Sequence, residues 1–135
     1  MDRNGFRRWL DAYERVWRSP GTESLVELFA ASATYRHSPY AEPLRGLPAI
    51  ERDWDAERDG PDDEFTMLAT VLAVDADVGV AHVLVRYGEP PVQEYQDLWL
   101  VWFDAEGRAS RFEEWPFWPD QPWAAGEAPE PTGQR

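Results

Sequence analysis

At 135 residues, with 43% hydrophobic content, the chain is long enough to bury one core and too short for two. Thirteen arginines and no lysine stand against 26 acidic residues, a net charge of −13, and so acidic a surface repels phosphate backbones and anionic lipid headgroups. That argues against nucleic-acid and membrane partners, and the absence of cysteine excludes disulfides, thiolate catalysis and Cys-ligated zinc.

Phe6, Trp9, Leu10, Tyr13, Val16 and Trp17 recur at three- and four-residue spacing and predict one face of an amphipathic helix, stopped by Ser19-Pro20-Gly21. Thr22 is placed to cap a second short helix with Leu25, Leu28 and Phe29 on its apolar face. Ala33–Ser38 reads as a strand ended by Pro39, and Pro43 to Gly46 as a loop. Pro48 suits a first helical turn, with Ile50 and Trp54 forming the buried edge of a third helix. The run 59–63 is a break. Phe65–Val74 and Val78–Tyr87 then flank a turn at Asp75-Ala76-Asp77. Val92–Phe103 and Arg108–Trp118 flank Asp104-Ala105-Glu106-Gly107, whose glycine suits the left-handed position of a bulged hairpin. Helices followed by an antiparallel meander predict an α+β domain over residues 1–119. A Pro/Ala/Gly-rich tail follows at 120–135, with Trp123 as an anchor.

No basic stretch followed by an apolar run marks a signal peptide, and the longest largely apolar run, Met67–Val74, is too short to span a bilayer. A soluble cytoplasmic protein is the expectation.

Three stretches carry a resemblance: Trp9–Tyr13 running on to Leu28-Phe29, Ala33–Pro39 through Gly46 to Ile50, and Trp102–Arg108 leading into Glu113-Glu114-Trp115. In order and spacing they resemble the nuclear transport factor 2-like (SnoaL-like) superfamily. That group includes ketosteroid isomerases, polyketide cyclases and non-enzymatic binding modules. The resemblance implies a cone-shaped fold, with about three N-terminal helices packed on the concave face of a strongly curved, mostly antiparallel sheet around a cavity.

Carried over position by position, Tyr13 falls where the isomerases keep an oxyanion-donating phenol and His37 falls at their carboxylate base. Trp99 takes the place of a second donor, there a protonated Asp. Phe29 and Trp54 replace the tyrosines that support the phenol. With His at the base position and Trp at the donor position, ketosteroid isomerase chemistry itself is not expected.

Strand alternation extends the carry-over. If Tyr35 and His37 point inward, so do Tyr95, Asp97 and Trp99, and Phe112 and Glu114 on the last strand; Trp17 and Trp54 close the space from the helices. The pocket then combines His37, Tyr13, Asp97 and Glu114 as acid–base groups within a wall of Trp17, Tyr35, Trp54, Tyr95, Trp99 and Phe112. Blander readings stand beside each. His37 could be a strand-end histidine bonded to Ser38 or a loop carbonyl, and Tyr13 a core aromatic. Asp97 and Glu114 could pair with Arg36, Arg86 or Arg111. His82 is ambiguous in its facing and reads as a core or interface histidine. No pair among His37, His82, Asp97 and Glu114 has recognised metal-ligand spacing, so neither metal nor cofactor is expected.

Leu98, Leu100 and Trp102 alternate with the pocket residues, and Trp115 and Phe117 do so on the neighbouring strand. A monomer would expose this apolar face; members of the family it resembles often pair sheet to sheet, so the resemblance implies a homodimer, with burial under the tail as the alternative. The expected function is a cofactor-independent acid/base enzyme of the cyclase, isomerase, hydratase or hydrolase type, acting on a small apolar or aromatic molecule. A binding or protein-interaction module of the same fold is the alternative.

Overall fold

The computed structural model describes residues 1–58 and 64–122, so the 59–63 break and the expected Trp123 anchor lie outside the described residues. Helix α1 spans Arg3–Arg18 and is capped by Asp2, whose carboxylate accepts from the Gly5 amide at 2.7 Å. Its predicted apolar stripe is the face that is buried, with Phe6, Leu10 and Val16 at 1% exposure or less. Side chains of this size, fully removed from water, each stabilise the fold by about 1.5–3 kcal/mol.

The expected second helix is a single 3-10 turn over Glu23–Glu27. Leu25 and Leu28 are fully buried, but Phe29 already opens strand β1, Phe29–Arg36, four residues earlier than predicted. A helical spacing of apolar residues over so short a stretch fits a 3-10 turn as well as an α-helix. Two α-helices are therefore present among the described residues, not three. Within the predicted 43–46 loop a short strand β2, Leu44–Arg45, pairs antiparallel with β1. Helix α2 follows over Leu47–Glu57 and buries Ile50 and Trp54.

Strands β3 (Phe65–Asp75), β4 (Val78–Tyr87), β5 (Gln93–Phe103) and β6 (Ala109–Phe117) form the meander. The six strands lie in the order β2-β1-β6-β5-β4-β3, antiparallel throughout except where β1 runs parallel to β6. Gly107 takes φ +79 in the β5–β6 turn, a conformation that favours glycine. Burial alternates along β5: Asp97, Trp99, Val101 and Phe103 are buried, while Leu98, Leu100 and Trp102 are half-buried. The helices cover the first set, and the second lies on the opposite, outer face.

At its N-terminal end α1 lies directly on the sheet. The Phe6 ring sits so close to Gly79 that a Cβ there would come within 2.6 Å of it. Arg7 strengthens the contact by donating to the Ala69 carbonyl of β3. Toward the other end of α1, helix and sheet enclose a cavity. There Arg58, with only 6% of its side chain exposed, donates to the carbonyls of Ser19 (2.7 Å) and Gly21 (2.6 Å) and fixes the end of α2 to the end of α1. No helix among the described residues is long and apolar enough to cross a membrane.

Candidate active site

The cavity has a volume of about 740 Å³ and is bounded by the C-terminal turns of α1 and α2 and by one end of five strands. Tyr13, His37, Asp97 and Glu114 all line it, as do Trp17, Tyr35, Trp54, Tyr95 and Trp99 from the expected wall. Phe112 does not. It is fully buried behind the wall, packed edge-on against Tyr35 (4.9 Å between ring centroids) and Trp99 (5.1 Å). It packs on the helix-covered side of the sheet, one layer behind the cavity wall.

His37 lies just past the end of β1, with 42% of its side chain exposed, and is bracketed by two carboxylates. Nδ1 is 3.4 Å from Oε1 of Glu114, and Nε2 is 3.7 Å from Oδ2 of Asp53 on α2. The hydrogen bond to Glu114 raises the imidazole pKa above its ordinary value. Burial opposes the rise, while the charges of Glu114, Asp53 and Glu57 add to it. The Glu114 oxygen also accepts from the Tyr35 hydroxyl at 3.1 Å, which ties this carboxylate to the ring beside His37.

Asp97 occupies a different environment. It is 6% exposed; Oδ2 accepts from Trp99 Nε1 at 3.0 Å, and the buried Oδ1 has no hydrogen-bond partner among the described residues. Burial pushes its carboxyl up to about 7, with a further rise from the Glu114 charge and a partial offset from the Trp99 hydrogen bond. Burial, then the charges of Glu114 and Asp97, raise the Tyr13 phenol well above 10, which keeps it a neutral hydrogen-bond donor.

None of the three candidate arginines reaches the pocket carboxylates. Arg36 and Arg111 both bond Glu113 on the outer face, at 2.9 and 2.6 Å, and Arg86 bonds Glu94 at 2.8 Å. Glu113, buried to 2% exposure, also accepts from Trp115 Nε1, and these donors hold its pKa low against the effect of burial. His82 faces the same side and bonds Gln96 at 3.1 Å. Among the described residues no group of three or more His, Asp or Glu side chains is placed to hold a metal ion. Asp53, Glu57 and Glu64 were not foreseen in the site. The signal for the first two was available, since Asp53 follows Ile50 by three positions and Glu57 follows Trp54 by three, on the same helical edge.

This architecture, helices on one face of a mixed six-stranded sheet with a cavity at one end, is the nuclear transport factor 2-like (SnoaL-like) fold. Solved structures with it include the epoxide hydrolase/cyclase-like enzyme SalBIII of salinomycin pyran-ring formation, 12% identical over 86% of this chain and 93% of its own, at a TM-score of 0.69. A protein of the SnoaL-like family from Agrobacterium tumefaciens is 14% identical over 84% of this chain and 98% of its own, at 0.66. A steroid delta-isomerase from Pseudomonas aeruginosa is 24% identical over 87% of this chain and 82% of its own, at 0.61. At these identities the likeness is one of fold. No family profile and no curated protein matches the sequence itself.

Proposed function

We propose that the chain is a cofactor-independent acid–base enzyme acting on a small apolar or aromatic molecule, of the cyclase, isomerase, hydratase or hydrolase type. One observation carries this reading. A histidine bracketed by two carboxylates and a carboxyl that burial raises to about 7 line the same open cavity. Paired groups whose surroundings push them toward neutrality in this way are suited to proton exchange near pH 7.

In this scheme Nδ1–H of His37 donates to Glu114, and Nε2 takes a proton from a substrate carbon, a hydroxyl or a water. Asp97 returns a proton to the oxygen that develops charge, and the Tyr13 phenol stabilises that oxygen by hydrogen bonding. The aromatic wall excludes water and orients the apolar body of the substrate. SalBIII and the steroid delta-isomerase share this fold, and their described activities, ring formation and isomerisation, both need proton transfer without a redox step.

The test is a thermal-shift screen of small aromatic compounds against the wild type, His37→Ala and Glu114→Ala, with product analysis of every stabilising compound. A compound that stabilises all three proteins but is recovered unchanged from the wild type, or is converted equally fast by all three, would remove the catalytic assignment.

We also propose that the outer face, where Leu98, Leu100, Trp102, Trp115 and Phe117 lie, pairs with a second copy of the chain. Phe117 is 48% exposed, and Leu68 on the same face is 64% exposed.

A further inference from the structure

The charge of the cavity wall is lopsided. Five carboxyl groups line it, from Asp53, Glu57, Glu64, Asp97 and Glu114, and His37 is the only described lining residue whose side chain can take up a positive charge near neutrality. Every strongly basic side chain in the sequence is an arginine, the residue best suited to grip a carboxylate or phosphate, yet among the described residues none lines the cavity. Two guanidinium groups that lie over lining rings, Arg18 over Phe65 and Arg58 over Trp17, are engaged elsewhere. Arg18 pairs with Glu14 at 2.9 Å, and Arg58 pairs with Asp55 at 3.6 Å while donating to the carbonyls that follow α1.

A second, independent observation is the state of Asp97. It is nine-tenths buried, it lines the cavity, and its Oδ1 has no partner among the described residues. A buried carboxyl oxygen left unpaired is costly unless some group supplies a hydrogen bond or a positive charge. The wall of the same cavity is aromatic: Trp17 and Trp54 meet edge to face at 4.8 Å, and Tyr87 and Tyr95 do so at 6.1 Å. Rings of this kind attract cations through their negative faces, most strongly where water is excluded. The wall already shows the pairing from outside, since the Arg18 guanidinium lies 3.9 Å from the centre of the Phe65 ring.

We propose that the cavity takes an organic cation, an aromatic or apolar amine or quaternary ammonium compound, with its charge beside Asp97 and Glu114 and its apolar body against the tryptophans. This rests on the reading of the cavity as the ligand site and names the substrate class for it. Carboxylates and phosphates are disfavoured by the same wall. A metal ion is a poor fit, because the carboxylates do not converge into a coordinating group among the described residues.

The test is calorimetric titration of the full chain at neutral pH with three probes of nearly equal shape: 2-(aminomethyl)naphthalene, 2-naphthalenemethanol and 2-naphthylacetate. The amine binds at least about tenfold more tightly than the alcohol, and the acetate binds most weakly. In Asp97→Asn and in Glu114→Gln, each first shown to unfold cooperatively, the ratio of amine to alcohol affinity falls at least about threefold. An alcohol that binds as tightly as the amine would overturn the inference and leave the pocket reading standing. A preference that survives in both variants would assign it to the overall acidity of the chain and overturn the inference as well. Failure of all three probes to bind would remove the pocket reading itself, and the inference with it.

Discussion

Replacing Asp97 by Asn probes the most unusual electrostatic feature of the molecule. Burial, reinforced by the Glu114 charge, raises the folded-state pKa from 3.8 to about 7. In the unfolded chain the same carboxyl ionises near its ordinary value, so between these two pH values the folded state binds more protons than the unfolded one. Stability therefore falls as pH rises through that window, and the contribution present below the lower value is lost above the upper one. A gap of about 3 pH units at 1.36 kcal/mol per unit is about 4 kcal/mol, an upper figure because local relaxation reduces it. An asparagine is close to isosteric, still offers an oxygen to Trp99 Nε1, and does not titrate. The assay is denaturant unfolding of wild type and Asp97→Asn from about pH 4.5 to about pH 8.5, reading the difference in stability at each pH. The variant gains on the wild type by several kcal/mol across the range, with most of the change between about pH 5 and about pH 7.5. A difference that stays flat with pH would show that Asp97 ionises normally and would refute the acid assigned to the site.

Trp99→Phe removes the donor that partly stabilises ionised Asp97, so the pH-dependent fall in stability moves to higher pH in the same unfolding assay. Gly79→Ala drives a methyl against the Phe6 ring at 2.6 Å and costs about 1–3 kcal/mol, with little change in ligand binding because the contact lies at the sealed end of α1. Sedimentation of Trp102→Glu against wild type checks the outer face: halving of the mass supports pairing through the sheet, and an unchanged mass removes it. For turnover, the competent form has neutral His37 and protonated Asp97. A raised imidazole value and a carboxyl value of about 7 then give a narrow bell in rate against pH near neutrality, whose rising limb moves to lower pH in Glu114→Gln.

Much of this arrangement was legible in the sequence because two periodicities carry it. The three- and four-residue spacing from Phe6 to Trp17 defined α1. The alternation through Tyr95, Asp97 and Trp99 put the carboxylate and the indole on one face, where β5 holds them. The same alternation would also have placed Arg36, between Tyr35 and His37, on the outer face, and with it Glu113, next to Glu114. Arg36 and Arg111 gather at Glu113 and Arg86 bonds Glu94, which leaves Asp97 and Glu114 free of arginine among the described residues. What the sequence could not supply was depth. Phe112 and Trp99 both face inward, yet only Trp99 lines the cavity, because the layer a side chain reaches depends on how closely α1 approaches the sheet. The tie between the ends of α1 and α2 is also hidden in sequence, since Arg58 makes it by hydrogen bonds to carbonyls far away in the chain.

Product formation is the most direct measure of whether His37 and Asp97 act together on a bound molecule. Compounds that stabilise the protein are incubated with wild type and with His37→Gln, which keeps the polar contact but cannot exchange a proton near neutrality. The account predicts a new product with the wild type and a rate at least about a hundredfold lower in the variant, with affinity for the compound largely retained. Equal rates in the two proteins, or compounds recovered unchanged from both, would contradict it.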